Sequence, residues 1–245
     1  MSGLAIALGF LTRVPTPGRA LLGPGALARA AVWFPVVGAL VGLVVGGTRL
    51  LAELVVPAEA ATVLALAAGV LVTGGLHEDG LADTADGAAA HASRERRLEI
   101  MRDPRLGSYG TLALVLVVLL SWTLLAGLDG EDCLRAAVAG HVLARWAMLV
   151  HAATSPPARP GGAGTLLRVG RPALAAATVL AGGLTVLAAG PAAGAAAAGA
   201  AIGLVAALGA MTRRALGGAT GDTYGAVGKL AEVGGYVAVV ALWRV

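Results

Sequence analysis

The chain has 245 residues, 58% of them hydrophobic and only 13% charged, with a mean hydropathy of +0.83. Soluble domains carry about 25% charged residues, so a soluble globular protein is excluded and a polytopic helical membrane protein is expected. The net charge of +4 comes from arginine, Lys229 being the only lysine, and no basic patch with interleaved aromatics marks a nucleic-acid partner. The single Cys133 excludes an intramolecular disulfide and a thiolate metal site.

Residues 3–11 are apolar but too short to cross a bilayer, and they run into Thr-Arg-Val-Pro-Thr-Pro. They predict an interfacial helix; no basic leader or cleavage site of a secretory signal is evident. Apolar runs then predict spans over 36–56, 61–76, 111–128, 134–153, 173–190, 192–211 and 230–243. Arg49 and Glu53 interrupt the first, and the last is short. The expectation is all-α: one domain over 1–245, a bundle of six to seven transmembrane helices with active-site loops on one face. Seven spans put 14 of the 18 basic residues on one side, which the positive-inside rule makes cytoplasmic. The setting is thus the cytoplasmic (inner) membrane of a bacterium, with the active site facing the cytoplasm and the lipid bilayer as a partner. Segments 77–110, 154–172 and 212–229 all fall on that side.

Within the first of these, Ser93 opens a charged helix over 93–101, and Asp103-Pro104 ends it. Arg94, Arg96 and Arg97 on it suit lipid headgroups or solvent. The small-residue runs 173–190 and 192–209 suit close helix packing.

The chemistry concentrates in 74–87, GGLHEDGLADTADG. On a helix, Asp79, Asp83 and Asp86 fall within an arc of about 60°, with Glu78 about 100° away. Three carboxylates on one stripe repel one another unless a cation, a proton or an arginine intervenes. Mg²⁺ with phosphate-bearing substrates is the reading this donor set favours; a proton relay in an ion-coupled transporter or a solvated helix end are the others. A second motif, 217–225, has glycines around Asp222, Thr220 and Thr223; as a backbone nest it could hold an anion, with Asp222 a further metal ligand or base. Arg102, Arg105, Arg145 and Arg159 are phosphate-binding candidates because the guanidinium fork grips two oxygens, and Arg145 lies inside a span, where charge is costly. His77 abuts the stripe and either touches phosphate or packs. His91, His141 and His151 show no metal-ligand spacing and suit structural hydrogen bonds.

Taken in order, Phe10-Leu11-Thr12-Arg13-Val14-Pro15, the 74–87 block, Leu98–Asp103 running into Arg105-Leu106-Gly107, and 218–223 resemble the cobalamin synthase (adenosylcobinamide-GDP ribazoletransferase) family. The spacing of Arg145, Arg159, Gly162 and Gly164 is also similar. Lys229, where similar proteins often carry a carboxylate, leaves only Glu232 in that tail, and Pro160-Gly161 replaces common acidic residues. The resemblance implies an integral membrane enzyme, Mg²⁺-dependent, that joins adenosylcobinamide-GDP to α-ribazole or its 5′-phosphate and releases GMP. Asp79, Asp83, Asp86 and Asp222 would hold the metal. Asp79 or Glu78 would take the hydroxyl proton, with Asp83 also catalytic. Arg102, Arg105, Arg145, Arg159, His77, Thr220 and Thr223 would contact substrate. A homo-oligomer is compatible with this reading. A CDP-alcohol phosphotransferase expects a longer aspartate pattern, and a diphosphate-dependent prenyltransferase expects aspartates at another spacing.

Overall fold

The computed structural model describes residues 2–16, 25–160, 165, 167 and 169–244. Arg19, Arg168 and glycines 161, 162 and 164, which entered the sequence reading, lie outside them. The described residues form helices α1 (Gly3–Leu11), α2 (Ala26–Ala30), α3 (Phe34–Ala52), α4 (Ala58–Thr73), α5 (Leu76–Ala89), α6 (Arg94–Ile100), α7 (Ser108–Ala126), α8 (Gly130–Thr154), α9 (Arg171–Ala189), α10 (Pro191–Leu216) and α11 (Gly221–Trp243), with a 3₁₀ turn, Ala31–Trp33, joining α2 to α3. Six stretches are long and apolar enough to cross a membrane, namely Ala26–Ala52 and helices α7 to α11, while α4 and α5 pass the same test only when taken together across their bend.

Hydrophobicity places these helices in lipid, but packing decides their order. Helix α8 is the axis: most of its 25 residues are buried, and its apolar side chains enter both hydrophobic cores, one shared with α10 and α11 and one with α1 and α3. Against it lies α3, whose Gly38, Gly42 and Gly46 meet the backbone of α8 at His141, Val138 and Leu134; a Cβ at any of them would collide. Small residues let backbones approach in lipid, where no hydrophobic drive separates protein from solvent. The runs expected to pack this way, α9 and α10, bury Ala177, Ala181, Ala193, Ala197 and Ala201 on one face, while Gly182, Gly183, Gly199 and Gly203 face open space.

The connections sort by side as the arginines indicated. Residues 53–57, 127–129 and the single Gly190 join helices at one end, while α1, α5, α6 and segments 155–160 and 217–220 gather at the other. At the first end the buried Arg49 pairs with Glu53, donates from Nε to Thr62 Oγ1 at 3.0 Å and reaches the Leu128 carbonyl. It ties three helix ends together, which explains a charge inside the first span. The last span begins nine residues earlier than its apolar run: α11 starts at Gly221, because Thr220 and Thr223 form a reciprocal capping box there.

Candidate active site

Gly74 and Gly75 both adopt the left-handed conformation, with φ of +70° and +69°, which glycine reaches without a Cβ penalty. These two residues turn the chain by 88° between α4 and α5. Helix α5 therefore runs across the bundle's end rather than continuing through the membrane. Gly80 makes that crossing close: its Cα face lies against the backbone of Asp222 on α11.

The stripe on α5 opens into a cavity of about 910 Å³, walled by Glu78, Asp79 and Asp83 and by Arg13, Arg102 and Arg105. Arg13 is a residue that spacing alone did not single out, although it sits in the Thr-Arg-Val-Pro motif. Its backbone N–H donates to the Val72 carbonyl at 2.7 Å, and its side chain lies across Gly74, where a Cβ would strike it. Arg105 is exposed and holds Asp103 at 2.6 and 2.9 Å, and these bonds keep the Asp103 carboxyl below the ordinary carboxylate range.

Asp79 is exposed and Asp83 half-buried, and neither has a cationic partner within ion-pair distance among the described residues. Burial first, then the charges of Asp79, Asp222 and Asp86, push the Asp83 carboxyl up to about 7. The folded state thus holds a proton the unfolded chain would release. Without a cation, stability should fall as pH rises from 3.8 towards about 7. Since a cation competes with that proton, Mn²⁺ should bind the full chain more tightly at roughly pH 8 than at roughly pH 6, as a titration followed by electron paramagnetic resonance would read.

Asp86, expected as a third ligand on the stripe, has another task. Its Oδ2 and Oδ1 accept from the backbone N–H groups of Gly107 and Gly110 at 2.8 and 2.9 Å, satisfying the first turn of α7. Among the described residues no three His, Cys, Asp or Glu side chains form a ready-made metal cage. Mg²⁺ ordinarily takes one or two carboxylates and fills its shell with phosphate oxygens and water. Asp79 and Asp83, one turn apart and facing the cavity, fit that demand.

Several expectations shift inward. The first half of the nest anticipated over 217–225 is closed, because each backbone N–H from Gly217 to Thr220 already donates, to Arg213 O, Thr212 O, Pro156 O and Thr223 Oγ1. Thr220 and Thr223 are buried cap residues rather than substrate contacts. Thr223 Oγ1 also meets His151 Nε2 at 3.2 Å, the structural hydrogen bond anticipated for that histidine. Thr220 Oγ1 donates to Asp222 at 3.2 Å. Asp222 lies within electrostatic reach of Arg159 and Asp79, behind Gly80. Arg94, expected to meet lipid headgroups or solvent, is exposed and also donates to the carbonyls of Leu216 and Ala158 at 2.8 and 2.5 Å, pinning the two loops that pair through Pro157 and Ala219. Arg97 likewise ties Ala92 and Ala88, while Arg96 pairs with Glu99.

Arg145 is the largest correction. It is 1% exposed and lies inside the bundle, with Nη1 2.8 Å from His141 Nδ1 and 3.7 Å from Glu232 Oε2. It lines a second, interior cavity with His77, Glu78, His141, Lys229 and Glu232, and His77 is buried there too. Lys229 bridges Glu78 at 2.9 Å and Glu232 at 2.7 Å. Glu78 alone of the stripe borders both cavities.

A bundle of apolar helices with carboxylates and arginines lining one cavity at its end defines a membrane protein whose site suits phosphate esters. The chain belongs to the cobalamin-5-phosphate synthase family, whose profile matches residues 3–240. Proteins named adenosylcobinamide-GDP ribazoletransferase are similar to it along nearly their whole length. The one from Azorhizobium caulinodans is 43% identical over 247 residues, 95% of this chain and 93% of its own. That of Shewanella frigidimarina is 37% identical, with 97% and 93% covered, and that of Chlorobaculum tepidum is 38% identical, with 99% and 96% covered. No solved structure matches the chain.

Proposed function

We propose that this chain transfers the adenosylcobinamide-phosphate moiety of adenosylcobinamide-GDP to α-ribazole or its 5′-phosphate, releasing GMP, at the cytoplasmic face of a bacterial inner membrane. The observation that carries the reading is a cavity whose wall brings Asp79 and Asp83 together with Arg13 and Arg102. Its size, about 910 Å³, suits a nucleoside diphosphate within the usual range of about 300–1,000 Å³, so the corrin ring stays at the rim. The names of the similar proteins supply the substrates.

Transfer breaks the phosphorus–oxygen bond to GMP and forms one to the ribazole 3′-oxygen. Arg13 and Arg102 grip non-bridging oxygens and hold the diphosphate in line with the attacking hydroxyl. Asp79 and Asp83 would hold Mg²⁺, which when bound neutralises charge on the diphosphate and the departing GMP. Glu78 accepts the hydrogen of the attacking hydroxyl. In a loose transition state that proton leaves late, after phosphorus has made it acidic, so an ion-paired carboxylate is base enough. Asp222 closes the site from behind α5. A transporter reading would need acids near the midplane in open connection, whereas these gather at one end of the bundle.

Purified protein should release GMP from adenosylcobinamide-GDP only when both ribazole and Mg²⁺ are present. Release without ribazole, or undiminished release in chelator, would contradict the proposal.

A further inference from the structure

We infer that Lys229 is a positioning residue for this transfer: it clamps one oxygen of Glu78 from inside the bundle and so fixes the carboxylate that borders the cavity. The inference rests on the function proposed above. It starts from backbone contacts. On α11, a Cβ at Gly225 would lie 3.1 Å from the Leu76 carbonyl, and one at Gly228 would lie 3.2 Å from the His77 ring. The two glycines therefore let the first turn of α5 settle directly on α11, which sets Glu78 over Lys229. Lys229 Nζ then reaches Glu78 Oε1 at 2.9 Å and, one turn along its own helix, Glu232 Oε1 at 2.7 Å. Glu78 Oε2 is buried and has no hydrogen-bond partner, so this carboxylate is held through Oε1 alone.

The charges balance: Lys229 and Arg145 against Glu78 and Glu232. The two carboxylates do not depend on Lys229 equally. Glu232 Oε2 has His141 at 3.0 Å and Arg145 at 3.7 Å as well. Glu78 has no second cation within ion-pair distance among the described residues. Removing the ammonium therefore leaves Glu232 paired but releases Glu78, which is free to swing towards the water of the cavity. A displacement of about 1 Å at a group that aligns a nucleophile costs on the order of 100-fold in rate.

The experiment compares GMP release and thermal unfolding in detergent for the wild type, Lys229→Met, Lys229→Arg, Glu78→Gln and the double variant Lys229→Met/Glu78→Gln. Lys229→Met and Glu78→Gln should each lower kcat by about 100-fold, with KM for adenosylcobinamide-GDP changed by less than about threefold. Lys229→Arg should recover at least about a tenth of wild-type kcat. The double variant removes both charges, so it should melt close to the wild type and still turn over slowly. Wild-type kcat in Lys229→Met, or in the melting-competent double variant, would overturn the positioning role and reduce Lys229 to charge compensation. A wild type that releases no GMP would instead sink the functional reading itself.

Discussion

An Asp79→Asn variant is expected to insert and fold normally yet lose ribazole transfer by a factor on the order of 1,000 or more. The exchange keeps size and hydrogen-bonding capacity and removes one charge. Asp79 is exposed to the cavity and ties no helix end, in contrast to Asp86, whose two oxygens cap α7. The fold should therefore lose nothing, and relief of repulsion with Asp83 should even raise the melting temperature in chelator. What disappears is half of the carboxylate pair that would hold the cation at the diphosphate. The readout is GMP release by the purified variant at saturating Mg²⁺, beside its melting curve. Undiminished release there refutes the assignment of Asp79.

The opposite pattern is expected from Glu232→Gln: little that is specific to chemistry, and a large loss of stability. Glu232 is 2% exposed, accepts from Lys229 at 2.7 Å, lies 3.0 Å from His141 and is the counter-charge of Arg145 at 3.7 Å. Neutralising it leaves two buried cations facing Glu78 alone. Breaking a buried pair by removing one partner costs about 3–5 kcal/mol, because the remaining charge keeps its desolvation penalty. The variant should fail to accumulate, or melt far below the wild type in detergent. Adding Arg145→Met, which removes the stranded guanidinium, should recover part of that loss. A single variant as stable as the wild type would show that water already shields the network.

These two carboxylates mark how far the sequence could be read. Asp79 was legible because four acids beside an apolar run violate what either water or lipid requires, and helical periodicity placed three of them together. The spans and the sorting of the connections to two ends were legible for the same reason: hydrophobicity and arginine placement are one-dimensional signals. Glu232 and Lys229 were not legible as a pair with Glu78. They lie about 150 residues away in the chain, and only the glycine contacts of α11 bring them under α5. Arg145 misled because a charge in a span signals function without saying which; here the demand for an internal counter-charge settled its place. Thr220 and Thr223 were recognisable as special residues, but their spacing is that of a helix cap, and capping took both hydroxyls. Arg13 was hidden because a lone arginine beside prolines gives no spacing to analyse until Gly74 and Val72 fix its neighbours.

The elbow at Gly74-Gly75 has a consequence for the lipid itself. Helix α4 has 16 residues, hence about 24 Å of rise, short of a hydrocarbon layer of about 30 Å. The leaflet must thin locally or the aqueous basin must dip below the glycerol level to meet α5, a mismatch that costs fractions of a kcal/mol per Å. Transfer rates in bilayers of shorter and longer acyl chains are therefore expected to differ, because the depth at which a nucleotide meets α5 follows the thickness of the surrounding leaflet.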